Sequence, residues 1–423
     1  MASIRRRWSP ALVGDPQIDR VGGRVLVARG FDLGNVIRLA TADGALFVDA
    51  ASAVSAAARA RAALDEIEPL ATSHLVYTHC HNDHTSGAEA LADHDGVEII
   101  AQAALPGLIE RDHGCLGNWT VRHRSSQRGR PDDHPFLDRG YREPTVLFEE
   151  EHELEVGGES VRLEHTEGES RDHLLAWLPE RGVLCSGDLI YPAFPNLSTP
   201  AVGPRPIRGW VRSLERMVAL EAEHLVPSHG PPVSGRAEVR ALLEVYRDAI
   251  EHVWTESVAL IDAGVDVSTA ARTVRLPEPL ARHPWLRPIY GTVNWGVRAV
   301  YDSLTGWYDL RPASLDPLPR GRVEGEVVGL VGAEPMAERA CSLLAGGEAQ
   351  LALELADLVL AADPEHLGAH QVHHDACVEL RGSATSLNEK GFYHSGVVRS
   401  RQAVERLGGE VAARGSERGQ GGG

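Results

Sequence analysis

Between residues 22 and 50 apolar and polar positions alternate in short runs, Val25-Leu26-Val27-Ala28, Asn35-Val36-Ile37-Arg38-Leu39 and Ala45-Leu46-Phe47-Val48-Asp49, with glycines between them. Alternation with period two and glycine punctuation predicts a β-meander. An alanine-rich helix is predicted over 53–69, followed by a strand at Ser73-His74-Leu75-Val76-Tyr77. Further strands are predicted near 97–101, 145–155, 160–164, 173–178 and 182–186. A helix over 208–222 then leads to the short strand Leu225-Val226-Pro227. Beyond it the pattern is helical, over 234–263, 268–273, 295–304, 333–344, 348–361 and 366–380. Strands and helices mixed early and helices alone late predict an α/β catalytic domain with a helical module behind it. The proline-rich stretch from Pro312 to Gly321 is the expected linker. We therefore expect domains at 1–318 and 319–408 and a disordered, glycine-rich tail at 409–423. Small residues at helical spacing around Asp363-Pro364 resemble one tetratricopeptide-like hairpin, which cannot bury its own face and needs a partner surface.

A chain of 423 residues is too long for one ordinary core. Its net charge of −18 argues against nucleic acid or an anionic membrane as partner, so any anionic substrate must be met by locally concentrated positive charge. Five scattered cysteines without C-x-x-C spacing imply neither a disulfide framework nor a zinc knuckle and suit a reducing cytoplasm. The basic start Arg5-Arg6-Arg7 is followed by Gly14-Asp15-Pro16-Gln17 before an apolar segment can form, so neither a signal peptide nor a membrane span is expected.

Chemistry is concentrated in Thr78-His79-Cys80-His81-Asn82-Asp83-His84-Thr85-Ser86-Gly87, directly behind a predicted strand. Alternate residues of an extended segment face one way, so His79 and His81 can grip one ion while Asp83 and His84, past a turn, face a second. Alternation points Cys80 away from both. Imidazole and carboxylate at this density suit zinc, or manganese or iron, better than calcium or magnesium. Three later segments can complete the shell: Glu167-Gly168-Glu169-Ser170, Cys185-Ser186-Gly187-Asp188 and Val226-Pro227-Ser228-His229-Gly230.

In this order the set resembles the metallo-β-lactamase superfamily, an αββα sandwich holding two metals between its sheets. Glutamate at 169, where the superfamily usually has histidine, resembles the alkylsulfatase branch related to sodium dodecyl sulfate hydrolases, as does its separation of 19 residues from Asp188. The segments Val27–Asn35, Gly117-Asn118, Arg122-His123-Arg124-Ser125, Tyr290-Gly291-Thr292-Val293, Gly306-Trp307-Tyr308-Asp309 and Leu380-Arg381-Gly382 resemble the same branch. The likeness runs over about residues 20–405 and lacks the sterol-carrier-like C-terminal domain of many relatives. It implies that His79, His81 and Glu169 hold one divalent ion, that Asp83, His84 and His229 hold the other, and that Asp188 bridges them. It also implies a homodimer through a helical dimerisation domain.

The expected reaction is hydrolysis of a sulfate ester on a small anionic organic molecule, with a hydroxide shared by two ions, most naturally zinc, as nucleophile. Asp83, Arg208 and His173 are the residues expected to take part in catalysis. Asn118, Arg122, Arg124, Arg205, Arg208, Tyr290, Asn294 and Trp295 are expected around the substrate, Arg208 foremost because Ile207-Arg208-Gly209 resembles the branch's sulfate-pocket segment. Phe194, Trp119, Trp285 and Trp307 are candidates for an apolar wall, with core packing the favoured reading for Trp307. Where the branch has a histidine to protonate the leaving oxygen, this chain has Trp295, which donates no such proton. His173, His123 or His134 must then take the role, or the leaving group is a better one, or the bond belongs to another anionic substrate such as a lactone, thioester, phosphoester or biosynthetic intermediate. A binding protein on a degenerate fold is the remaining alternative, which the complete ligand set opposes.

Overall fold

The structure, a computed structural model, describes residues 13–127, 140–200 and 202–411. The meander predicted over 22–50 forms as three antiparallel strands, β2 (Val25–Arg29), β3 (Val36–Thr41) and β4 (Gly44–Val48), and an unpredicted strand ahead of them, β1 (Gln17–Val21), pairs antiparallel with β2. β5 (Thr72–Val76), β6 (Glu98–Gln102) and β7 (Val146–Phe148) add to β4 in parallel and complete a seven-stranded sheet. A second sheet has six strands, β8 (Glu151–Val156), β9 (Glu159–His165), β10 (Leu174–Leu178), β11 (Val183–Gly187), β12 (His224–Pro227) and β13 (Val233–Ser234). Within it only β11 and β12 run parallel. The single strand expected over 145–155 is two, because the chain leaves the first sheet at Phe148 and enters the second at Glu151.

Numbering only helices of ten residues or more, α1 is Val54–Asp65, α2 Gly117–Gln127, α3 Ile207–Ala219, α4 Arg236–Asp262 and α5 Val293–Thr305. Then come α6 (Arg322–Val331), α7 (Ala333–Ala345), α8 (Ala349–Ala362), α9 (Leu367–Ser383) and α10 (Leu387–Arg406).

Both faces of the first sheet are apolar, and period two assigns each residue to a side. Val25, Val27, Ile37, Leu39, Leu46, Val48, Val76 and Ile100 point between the sheets, onto Val161, Leu163, Leu174, Ala176, Val183 and Val226 of the second. Their neighbours Leu26, Ala28, Ala45, Phe47, Leu75, Ile99 and Ala101 point outward onto Ala56, Ala57, Ala60 and Leu64 of α1. Alanines on the inner face of α1 let the helix lie close to the sheet. On the far side α3 buries Ile207, Trp210, Val211, Leu214 and Met217 and packs on α4, so the layers are αββα.

Residues 118–127 and 307–411 form a second compact unit, and the remaining described residues form the first. The division falls at 306/307, ahead of the expected linker, and it takes α2 out of the first unit. In the second unit α7 packs on α8, α8 on α9 and α9 on α10, through small residues such as Ala340, Ala352 and Ala356. Three of its helices, α2, α6 and α10, were not predicted. α6 contains two glycines and four valines, poor helix formers in isolation, and α10 buries Gly391, Ser395 and Ser400 where a periodic pattern would show large apolar residues. The tail beyond 411, the basic N-terminus and His134 lie outside the described residues.

Candidate metal centre

Every ligand candidate arrives at the same edge of the sandwich, on loops at the ends of β5, β9, β11 and β12. Behind β5 the chain stays extended through His81 and then turns into a single helical turn, Asn82–Thr85, which presents Asp83 and His84. Gly87 closes this loop against the Ala50 carbonyl, and a Cβ there would also meet Ala57 Cβ at 2.6 Å and Ala53 O at 2.8 Å. The end of β11 bulges at Gly187, whose φ of +51° favours glycine and turns Asp188 inward.

Two groups of donor atoms result, each with all its atoms within 4.8 Å of one another: His79, His81 and Asp188, and Asp83, His84 and His229. Asp188 joins them, with carboxylate oxygens 3.8 Å from His79 Nε2, 3.5 Å from His84 Nε2 and 3.1 Å from His229 Nε2. Glu169 stands outside both groups, turned toward Arg205 and Asn196.

Three of the four histidines have their outer nitrogen fixed. Thr78 Oγ1 donates to Asp49 and so accepts from His79 Nδ1 at 3.0 Å. His84 Nδ1 donates to Asp49 Oδ2 at 2.7 Å, and His229 Nδ1 donates to the Leu33 carbonyl at 2.9 Å. Each ring therefore turns its Nε2 into the site, the nitrogen through which the imidazole would bind a metal. His84 Nε2 is buried with no hydrogen-bond partner, and His79 Nε2 lies only 2.9 Å from His81 Nδ1. An orphaned ring nitrogen and two converging lone pairs fit divalent ions. Burial, with His84 and His81 beside it, also holds the His79 pKa well below the ordinary histidine value, which keeps the ring neutral for coordination.

Asp49, Thr78 and Ser228 were not singled out in the sequence. Asp49 is fully buried and collects Thr78 N–H, both Thr78 and Ser228 hydroxyls and His84. The only signal was a carboxylate ending the apolar run Leu46-Phe47-Val48.

Several expectations about catalysis are corrected. His173 cannot serve as the acid: its Nε2 accepts the Asp188 backbone N–H at 3.0 Å and its Nδ1 pairs with Thr166 Oγ1 at 3.0 Å. Burial lowers its pKa to about 4, so it is neutral and holds the turn that carries Asp188. Arg208 is turned away from the ligands, bound to Glu251 at 2.6 Å and stacked over Trp254. Arg205 is the arginine brought to the ligands, 3.0 Å from Glu169 Oε1 and 3.4 Å from His81 Nε2. Asn294 accepts from Arg298 at 3.1 Å, and Trp295 sits in the first turn of α5, its backbone N–H capped by Thr292.

Tyr290 packs edge-on against Tyr191, which does the same against His229. Phe194 is core, and Trp285 is half-buried. Trp307, expected in the core, is 75% exposed. Asn118, Arg122, His123 and Arg124 lie on α2 in the second unit, where His123 stacks between Trp119 and Phe392. Cys80 faces the α1 side and contacts Asp172, as alternation requires.

Comparison with known proteins agrees with this geometry. Residues 29–229 match the metallo-beta-lactamase superfamily and residues 267–403 match the family described as alkyl sulfatase dimerisation. A linear primary-alkylsulfatase from Pseudomonas sp. is 27% identical over 89% of this chain and 75% of its own length. An (R)-specific secondary-alkylsulfatase from Pseudomonas sp. is 26% identical over 94% of this chain and 65% of its own. The solved structure of the stereoselective inverting sec-alkylsulfatase Pisa1 from Pseudomonas sp. superposes with a TM-score of 0.82 at 23% identity, covering 95% of this chain and 67% of that one. The chain belongs to the metallo-β-lactamase superfamily. Within it, the paired match to a catalytic sandwich and a dimerisation region places it in the alkylsulfatase branch, and the chain spans 75% and 65% of the length of those two relatives.

Proposed function

We propose that the protein is a dinuclear metal-dependent hydrolase of sulfate esters and works as a homodimer. The observation that carries the reading is the pair of histidine and carboxylate clusters sharing Asp188. When bound, two divalent ions, zinc by the donor set, supply Lewis acidity and an acidified water. The chain's own residues prepare the site for them. Asp49, Thr78 and the Leu33 carbonyl fix three imidazoles before any ion arrives, and His173 holds the backbone of the bridging carboxylate. Tyr191 and Tyr290 supply an aromatic wall beside His229. Sulfate esters are favoured because the curated relatives that match along most of this chain are alkylsulfatases. The homodimer rests on the dimerisation match.

Two observations favour a substrate that differs from those named for the primary- and secondary-alkylsulfatases. His173 has both nitrogens engaged, and Trp295 offers no proton to a leaving oxygen. General acid assistance is typically worth about 10²–10⁴-fold, so turnover should favour esters whose leaving oxygen needs no proton, such as aryl sulfates. The second reading, for the same reason, is hydrolysis of another anionic bond, a lactone, thioester or phosphoester. The test is a panel of aryl and alkyl sulfates, lactones and phosphoesters offered to zinc- and manganese-loaded protein. Released sulfate is the readout, with chelated protein as blank. Metal-dependent release, faster from aryl than from alkyl esters, supports the sulfatase reading. No sulfate from any ester, with turnover of a lactone or phosphoester, replaces it by the second.

A further inference from the structure

The Glu169 side chain is almost fully buried, and its two oxygens are treated differently. Oε1 receives Asn196 Nδ2 at 3.1 Å and Arg205 Nη2 at 3.0 Å. Oε2 has only the Tyr191 hydroxyl, at 3.4 Å. Asn196 is itself held, its backbone N–H donating to that hydroxyl at 2.6 Å. The Arg205 side chain is 9% exposed, and the same guanidinium reaches the outer nitrogen of His81 at 3.4 Å. Arg205 thus touches Glu169 and His81, the two residues of the first cluster's expected ligand set that are not tied to Asp49, Thr78 or the Leu33 carbonyl. One oxygen of Glu169 is occupied by two nitrogen donors, and the other has only the longer Tyr191 contact.

The charge arithmetic gives this contact a purpose. Three carboxylates, Asp83, Glu169 and Asp188, serve a centre that has one fewer when a neutral imidazole occupies position 169. A buried carboxylate is costly unless it is paired and hydrogen-bonded. Glu169 together with Arg205 contributes no net charge, which makes the pair the electrical equivalent of that imidazole. Outer partners of this kind fix the orientation of metal ligands and change their affinity.

We propose that Arg205 is a positioning residue of the metal centre: it neutralises Glu169, clamps it with Asn196 so that Oε2 faces the ions, and is therefore not the arginine that binds the substrate's anionic group. The inference rests on the dinuclear reading of the site but not on the identity of the substrate.

The test is metal affinity, measured by competition between the whole protein and a chromophoric zinc chelator, with stoichiometry by mass spectrometry. Arg205→Gln should weaken the more labile of two bound zinc ions by roughly 10–100-fold, with Arg205→Lys intermediate. Glu169→His combined with Arg205→Gln should regain most of the affinity lost by Arg205→Gln alone, because the buried negative charge and its countercharge leave together. Far-ultraviolet circular dichroism and thermal unfolding of metal-free protein show that each variant is folded. Should Arg205→Gln not fold, the double variant and Arg205→Lys carry the comparison. Wild-type zinc affinity in Arg205→Gln, with only the KM for a turned-over ester raised, would overturn the inference and return Arg205 to the substrate. Equal affinity loss from Arg205→Gln in the wild-type and Glu169→His backgrounds would overturn it too, since no pairing would then exist. Loss of zinc in Arg205→Gln together with no sulfate release from any ester leaves this inference standing while the sulfatase reading fails.

Discussion

Asp49 is the position where a single atom exchange should be most informative, because four donors from three segments converge on one buried carboxylate. Thr78 N–H and Thr78 Oγ1 lie at 2.9 Å, His84 Nδ1 at 2.7 Å and Ser228 Oγ at 2.6 Å. Asp49 also has a φ of +63°, which asparagine tolerates far better than alanine. Asp49→Asn therefore keeps the backbone and the shape and changes only the hydrogen bonding. If the amide oxygen faces His84 and Ser228, the amide NH2 faces Thr78 N–H, and one buried donor loses its acceptor at about 1–3 kcal/mol. The surviving bonds change from charge-assisted to neutral, which removes about half of each. The sum is about 3–5 kcal/mol, a large part of the ~5–15 kcal/mol that holds a typical domain together. Chemical denaturation in the presence of chelator measures this loss without a contribution from bound ions. With His84 no longer locked to a carboxylate, zinc affinity should also fall about 10–100-fold. An unchanged denaturation midpoint together with unchanged zinc affinity would refute the assignment of Asp49 as the hub of the site.

Other substitutions separate packing from chemistry. Gly87→Ala places a methyl group against Ala50, Ala53 and Ala57, and overpacking of this kind costs about 1–3 kcal/mol or more; an unaltered melting temperature would contradict the close approach. Arg208→Ala removes a half-exposed pair with Glu251, so stability should fall by no more than about 1 kcal/mol and the KM for any turned-over ester should stay within about twofold; a tenfold rise in KM would put Arg208 back in the pocket. His173→Leu removes the acceptor of the Asp188 N–H, whereas the amide oxygen of His173→Gln can replace it. The leucine variant should lose about 10–100-fold in zinc affinity and the glutamine variant should recover much of it, while equal losses would show that the ring serves only as filler.

How much of this was legible in the chain depends on the range of the interaction. The meander was readable because alternation places Val25 and Val27 on one face and Leu26 and Ala28 on the other, and each residue carries that information itself. The histidine loop was readable for the same reason, since an extended segment followed by a turn fixes the relation of His79, His81, Asp83 and His84 locally. α10 was not, because Asn388, Gly391, Ser395 and Ser400 are among the residues it buries and interrupt any apolar period, and its backbone approaches its neighbour closely, as where a Cβ on Gly396 would meet Cys377 Sγ at 2.7 Å.

The arginines show the limit most clearly. Arg205 and Arg208 are three residues apart at the start of one helix, and composition gives no reason to rank them. α3 begins at Ile207, so Arg208 lies inside its first turn, where Glu251 and Trp254 of the adjacent α4 take its guanidinium. Arg205 lies just before the helix, and its guanidinium enters the site where the β9–β10 loop brings Glu169. Which of two nearby cations meets the ligands is decided by where α3 starts and by what α4 presents to it. A motif match at Ile207-Arg208-Gly209 carries information about the first of these and none about the second. The same holds for Asp49, whose four donors come from the ends of β5 and β12 and from the metal loop, strands brought to one edge only when both sheets are closed.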